Sequence, residues 1–372
     1  MRFPEFSGEW EYITLSEIAY RVTRKNKDNV SKLPLTISAQ YGLVDQISFF
    51  NKVVASADMS NYYLLQKGEF AYNKSYSSDY PWGAIKRLDR YSQGALSSLY
   101  ICFAVNNKVD SDFAVHYFES SKWHREVSNI AGEGARNHGL LNIAVGDFFE
   151  TKHSVPKSKE EQKKIAVLLN LITDRIATQI KIIEDLKKLK SAIRAKVFKQ
   201  LESSCECWSE IGNMLQYEQP SKYLVASTEY SDSYATPVLT ANKAFILGYT
   251  DEEFGIYSKG ECVIFDDFTM DVKFVNFPFK VKSSAIKILT AIGNNDLYFT
   301  YEYLQNLGLV SEEHKRHYIS EIEPMIVACP TFEEQQNISN LLRSFDRKIE
   351  YANRELTLYN KQKQYLLSQM FI

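Results

Sequence analysis

An apolar seam with alternating steps of four and three residues occurs twice in the chain, in one register. In the first copy Ile165, Leu169, Ile172, Ile176, Ile183, Leu186, Ile193 and Val197 follow those steps, with Gln179 and Lys190 in the gaps. In the second, Ile338, Leu342, Phe345, Ile349, Ala352, Leu356, Tyr359, Leu366 and Met370 do so, with Lys363 in the gap. The offset is constant (338 − 165 = 370 − 197 = 173) and carries Lys190 onto Lys363. Such spacing keeps one helical stripe facing a partner over several heptads, so each copy reads as a coiled-coil helix.

A helix of about 40 residues is roughly 60 Å long and needs a partner for its stripe. The other copy is the natural one. A parallel, in-register pair sets Lys190 against Lys363 inside the seam. An antiparallel pair sets each lysine against the opposite half of the other helix, near Ile172 or Phe345, from where its ammonium is expected to extend to water. The expectation is therefore an antiparallel pair with one globular segment leading into each N-terminus, at opposite ends of a rod.

The chain divides into four segments: 1–155, 156–203, 204–329 and 330–372. The second and fourth are the helices. Pro156 and Pro330 precede acidic first turns, and Ser158 and Thr331 are placed as N-caps. The first and third segments read as α+β heads. GEFAYNKSY, LSSLYICFAV, TPVLT, KAFILGYT, ECVIFDDF and KFVNFPFKVK have the composition of strands. DSDFAVHYFESSKWHREVSNI and NDLYFTYEYLQNLGLV read as helices. The fold expected is thus α+β, with two mixed α/β heads separated by two long helices and related by an internal pseudo-twofold duplication.

The formal net charge of −2 argues against a nonspecific nucleic-acid coat but leaves room for local basic surfaces. Five scattered cysteines, Cys102, Cys205, Cys207, Cys262 and Cys329, form neither a disulfide framework nor a zinc knuckle. The N-terminus has no apolar leader and no 18-residue apolar run occurs, so a cytoplasmic location is expected. A GxxxxGK[ST] phosphate loop is absent, and the nearest string to an amino-methyltransferase motif, Asp79-Tyr80-Pro81-Trp82, reads as a turn. Asp266 and Asp267 are adjacent on a strand and point to opposite faces, which disfavours a shared metal. No catalytic residue and no metal site are assigned.

The two helical segments, PKSKEEQKKIAVLLNLITDRIATQIKIIEDLKKLKSAIRAKVF and PTFEEQQNISNLLRSFDRKIEYANRELTLYNKQKQYLLSQMF, resemble the repeated spacer helices of type I restriction–modification specificity subunits. The matching positions are Glu161, Gln162, Ile165, Asp174 and Phe198, then Glu334, Gln335, Ile338, Asp346 and Phe371. The step from glutamine to aspartate is twelve residues in the first helix and eleven in the second. The opening RFPEFSGEWEYITLSEIA, with Trp10 and its echo at Trp208, is similar to that family's start. The phrases ISAQYGLVDQ, GARNHGLLNI, YEQPSKYLV and IFDDFT resemble its target recognition domains.

The resemblance implies a non-catalytic subunit that reads a bipartite, interrupted double-stranded DNA site with two heads. It also implies two methyltransferase subunits carrying S-adenosylmethionine, and motor–nuclease subunits using ATP and Mg. In the first head Asn73, Lys74, Ser75, Tyr76, Lys86, Arg87, Arg136, Asn137 and His138 are the expected DNA contacts. In the second they are Lys222, Tyr223, Thr240, Lys243, Tyr249, Thr269, His314, Lys315, Arg316 and His317. Arginine and lysine bond guanine edges or phosphate, and asparagine bonds adenine. Two rival readings are a coiled-coil scaffold presenting two protein-binding heads and a self-sufficient Mg-dependent nuclease.

Overall fold

The computed structural model describes every residue except 1, 40, 137–138, 241–244, 312–314 and 372, and only the backbone of 133–136. Two compact units make up the chain. One combines Met1–Gln179 with Glu355–Ile372, and the other is Ile180–Arg354. Each contains a head, the N-terminal half of one long helix and the C-terminal half of the other. The units therefore cut across the four segments expected from the sequence.

Both heads are built on a four-stranded antiparallel sheet. In head 1 the strands are β1 (Ala19–Arg21), β2 (Phe70–Asn73), β3 (Ala84–Arg87) and β4 (Ile101–Val105), in the order β1-β4-β2-β3. In head 2 they are β5 (Leu215–Glu218), β6 (Cys262–Asp266), β7 (Val272–Val275) and β8 (Ile286–Ala291), in the order β5-β8-β6-β7. The order is the same, which makes the duplication topological as well as helical.

The central strands are apolar runs because both of their faces are covered. In β2, Phe70 and Tyr72 join the core under the helices, whereas Ala71 joins the core under the smaller hairpins. In β6, Phe265 and Val263 face the helices, whereas Cys262 and Ile264 face the other side. A helix follows the last sheet strand in each head: α1 (Ser111–Glu119) after β4 and α3 (Leu297–Asn306) after β8. Asp110 and Asp296 cap them through their side chains. The spacing D-x-x-F-x-x-x-Y recurs as Asp110, Phe113, Tyr117 and Asp296, Phe299, Tyr303. The long helical stretch expected after Val109 is instead two helices, Ser111–Glu119 and His124–Ile130. The break is at Ser120, which is extended and turns its hydroxyl back onto the Tyr117 carbonyl.

The long helices are α2 (Lys159–Ser204) and α4 (Phe332–Met370). They run antiparallel within each unit, as the seam predicts. In the first unit Gln179 Nε2 donates to Glu355, while Ile165 and Leu169 share a core with Leu366, Met370 and Phe371. In the second, Lys190 meets Asp346, while Phe198 shares a core with Leu342. No seam position of either copy is exposed: Ile176, Leu186, Ile193, Val197, Ile338, Ile349, Leu356 and Tyr359 are half-buried, and the rest are buried.

The repeated Glu-Gln pair has a physical role in each helix start. Gln162 Oε1 accepts from the Asp110 N–H at 2.6 Å, and its Nε2 donates to the Pro156 carbonyl at 2.8 Å. Gln335 does the same with Asp296 at 2.8 Å and Pro330 at 3.0 Å. Each glutamine thus ties a long helix to the cap of the head helix beside it. The glutamates diverge. Glu161 takes a bidentate bond from Arg2 and one from Trp10 Nε1. Glu334 closes a capping box with Thr331. Ser158 likewise caps α2 through the Glu161 N–H.

The seam lysines depart from expectation. Each is mostly covered and turns its ammonium to carboxylates rather than out to water. The Lys190 side chain is 12% exposed and bonds Glu302 and Asp346, both at 2.6 Å. The Lys363 side chain is 14% exposed and bonds Glu119 at 2.9 Å. A carboxylate on the head helix, fully buried at Glu302 and half-buried at Glu119, is a stronger attraction than a long path to solvent. Asp174 is exposed, whereas its counterpart Asp346 is the half-buried partner of Lys190. Among the described residues no helix is long and apolar enough to cross a membrane.

Candidate nucleic-acid interface

In each head, the turn after the central sheet strand is stitched to a segment that follows the head helix. In head 1, β2 ends at Asn73, whose Oδ1 accepts from the Ser75 N–H at 3.0 Å. The chain then lies along the hairpin formed by Gly132–Arg136 and Leu140–Asn142. The Leu141 N–H donates to the Lys74 carbonyl at 2.9 Å and the Tyr76 N–H to the Gly139 carbonyl at 3.0 Å. Ser75 and Leu140 form an antiparallel bridge. Gly139 has φ +70°, a conformation glycine adopts without cost, and a Cβ there would stand 3.8 Å from the Tyr76 ring.

Head 2 repeats this join at the corresponding strand end. Asp266 Oδ1 accepts from the Phe268 N–H at 2.9 Å, and its Oδ2 takes the Thr269 hydroxyl at 2.6 Å. The His317 N–H donates to the Asp267 carbonyl at 3.1 Å, as Leu141 does to Lys74. Asp267 Oδ1 also accepts from the His317 and Tyr318 N–H groups at 3.0 and 2.8 Å. Lys287 Nζ lies 3.4 Å from the second oxygen. The acidic pair is therefore consumed by turn and backbone bonds. Among the described residues no cluster of three or more His, Cys, Asp or Glu side chains could hold a metal ion.

The join brings together residues that lie far apart in sequence. Asn73, Lys74, Ser75 and Tyr76 meet the hairpin that contains Arg136, of which the backbone is described. Ser75 and Tyr76 are exposed, with Tyr76 at 45%. Lys74 Nζ reaches the Ile143 carbonyl at 3.4 Å. In head 2 the join unites exposed Thr269 with exposed Lys315 and Arg316. Lys315 also pairs with Glu321 at 3.0 Å. Lys222 is exposed on a short turn, Pro220–Tyr223, away from this join in sequence. Asn137, His138, Lys243 and His314 lie outside the described residues.

Other expected contacts face inward. Lys86 lies 3.9 Å from Glu119, and burial pulls its ammonium below the ordinary lysine range. Arg87 is held by Asp89 and Asp112, both at 2.7 Å. Both sit on β3, where the strand presents them to α1 rather than to a ligand. Tyr223 is buried and donates its hydroxyl to Glu218. Thr240 is buried at the end of the strand Thr236–Leu239, and Tyr249 is half-buried opposite Pro237. His317 is buried, with Nδ1 2.9 Å from Glu321 and Nε2 3.0 Å from Ser311. These four, with Lys86 and Arg87, make contacts within the heads; of the exposed candidates, Ser75, Tyr76, Thr269, Lys315 and Arg316 lie at the two joins and Lys222 lies apart from them. Basic runs gave no sign of the difference; the acids of α1, Glu119 and Asp112, are what hold Lys86 and Arg87 inside the head.

No protein-family model matches the chain. The specificity subunit of the type I restriction enzyme EcoR124I/EcoR124II of Escherichia coli is 41% identical over 176 residues, 44% of this chain. The match spans 44% of that relative's length, less than half of it. Solved structures match over the whole chain. The S subunit of a type I restriction–modification system from M. genitalium aligns with 100% of this chain and 99% of its own, with a TM-score of 0.60 at 15% identity. A chain from a structure of the assembly and conformational transition of a type I restriction–modification system aligns over 98% of each chain, with a TM-score of 0.57 at 13% identity. The fold is that of type I specificity subunits, and the resemblance read from the spacer helices holds.

Proposed function

We propose that this chain is the DNA sequence-specificity subunit of a type I restriction–modification complex. Each head reads one half of an interrupted duplex site, and the paired helices set the gap and carry two methyltransferase subunits, with motor–nuclease subunits joining them. The chain itself is non-catalytic. S-adenosylmethionine belongs to the methyltransferase subunits, and ATP and Mg to the motor–nuclease.

The observation that carries this reading is the recurrence of one join on two copies of one sheet. Both copies use the same strand end and the same backbone bond, yet they present different side chains: Ser75 and Tyr76 in one head, Thr269, Lys315 and Arg316 in the other. Stitched turns hold polar groups in fixed positions, which base-edge readout requires. Unlike side chains on a repeated frame suit an asymmetric site. Lys222 and Arg316 are exposed cations suited to phosphate. The test is selection from a random duplex library, with the methyltransferase subunits present and absent. The expected product is a two-part motif with a fixed gap. A single contiguous motif refutes the reading.

A further inference from the structure

Every heptad of the seam favours an apolar residue at position 190 of α2 and at position 363 of α4, and both hold lysine. Each lysine points at a head rather than at water or the opposite helix alone. Lys190 Nζ contacts Glu302 and Asp346 at 2.6 Å and the Tyr298 hydroxyl at 3.2 Å. Arg194, one turn further along α2, adds a bond of 3.3 Å to the same Glu302. Tyr298 in turn bonds Asp346, which closes the cluster. Glu302 is fully buried. In the other unit Lys363 Nζ contacts Glu119 at 2.9 Å, and Glu119 is also held by His116 at 3.2 Å and faced by Lys86 at 3.9 Å. Glu119 and Glu302 both lie on the helix that follows the last sheet strand.

The apolar part of the seam defines the register only weakly. Leu356 and Met370 flank Lys363 at one heptad on either side, so a slip by seven residues brings an apolar side chain to the place of the lysine and the lysine to an apolar place. Such a slip moves the helix about 10 Å along a head, close to three base pairs of duplex. It also takes the Lys363 ammonium away from the half-buried Glu119 carboxylate, which then keeps only His116 and Lys86. A rocking motion of the head breaks the same contact. Single polar residues in a seam are known devices for fixing register.

We propose that Lys190 and Lys363 are specificity-determining positioning residues, each locking one head to the helix pair at one register and so fixing the gap in the recognised DNA. The proposal rests on the functional reading above and deepens it: the bases are read at the joins, and the distance between them is kept by two ion pairs, one to the buried Glu302 and one to the half-buried Glu119. The occurrence of the pair twice, 173 residues apart on the helices and on equivalent helices of the two heads, argues for a device rather than an accident of packing.

The test uses the full chain assembled with its methyltransferase subunits, and the random-duplex selection is read for half-site letters and for gap separately. The double variant K363M/E119Q removes both charges and keeps the length of each side chain. Its expected result is unchanged letters in both halves with an increase of about tenfold in sites whose gap differs from the wild-type gap. K363R, which keeps the charge, is expected to retain the wild-type gap. A folded double variant with the wild-type gap distribution overturns the proposal, even if it binds more weakly or melts lower, since a purely structural role predicts that result. K190M/D346N, which leaves the Arg194–Glu302 pair intact, repeats the test at the other head should the first variant not assemble. An absent or contiguous motif from the wild-type complex overturns the functional reading itself, whereas a two-part motif with an unaltered gap in the variants overturns the lock alone.

Discussion

Phe371→Ala is expected to weaken head 1 and leave head 2 untouched, although Phe371 follows α4, the helix that head 2 leads into. The Phe371 side chain is buried, with its ring 5.4 Å from Phe113 and 5.7 Å from Tyr117, both in edge contact. These two rings belong to α1. Truncating a buried phenylalanine costs about 3–5 kcal/mol. The site stands at the end of a helix and can partly collapse, so about 3 kcal/mol is the working figure. For a unit of roughly 200 residues, 1 kcal/mol moves the melting point by about 2–4 °C, which gives a shift of about 6–12 °C. Calorimetry resolves the two units if they melt separately, and Trp10, Trp82 and Trp123 report on head 1 by fluorescence. The counterpart Phe198, 173 residues earlier, packs on Phe299 and Tyr303 at 5.5 and 4.7 Å. Phe198→Ala is therefore expected to lower the other transition. A melt of Phe371→Ala that matches the wild type, or one that moves the head 2 transition instead, refutes the crossed packing.

Three further outcomes follow from the same contacts. Gln162→Ala leaves the Asp110 N–H and the Pro156 carbonyl without their buried partner, and chemical denaturation is expected to show a loss of about 2–3 kcal/mol. His153 is buried between Tyr117 and Thr151, and burial pushes its imidazole down to about 4 against the weak opposing pull of Glu126. The folded state thus disfavours the proton that the unfolded chain accepts, so His153 contributes fully above about pH 6.5, and as pH falls from there towards about 4 roughly 3 kcal/mol is lost; His153→Gln is expected to flatten the denaturation profile over that window. Lys222→Ala is expected to lower the slope of log affinity against log salt by about 1 without changing either half-site, as a phosphate contact requires.

The periodic parts of the molecule were legible in the sequence. The seam gave two helices and their direction, and the Pro-to-Gln spacing marked two similar starts. Strands such as Cys262–Asp266 and Ile101–Val105 were visible because burial on both faces leaves apolar runs. The joins were not visible, since they rest on backbone bonds such as Leu141 to Lys74 and His317 to Asp267, to which any residue type contributes. Basic side chains were equally ambiguous: Lys86 and Arg87 resemble Lys74 in the sequence, and only the neighbouring helix acids show that they are internal. The glutamates that receive Lys190 and Lys363 lie on helices distant in the chain, and nothing in their local sequence announces a partner. His317, in a cluster of four basic residues, is buried, with its ring held between Glu321 and Ser311.

The shared cores impose an order on synthesis. Residues 180–354 form one continuous stretch and can close as soon as they have been made. The other unit needs residues 355–372, because Leu366, Leu367, Met370 and Phe371 lie in the core with Phe113 and Trp123. On the ribosome, then, the half translated first is the half completed last, and its uncovered aromatic surface must be kept from other nascent chains until translation has passed residue 371. Contacts of such long sequence separation fold slowly.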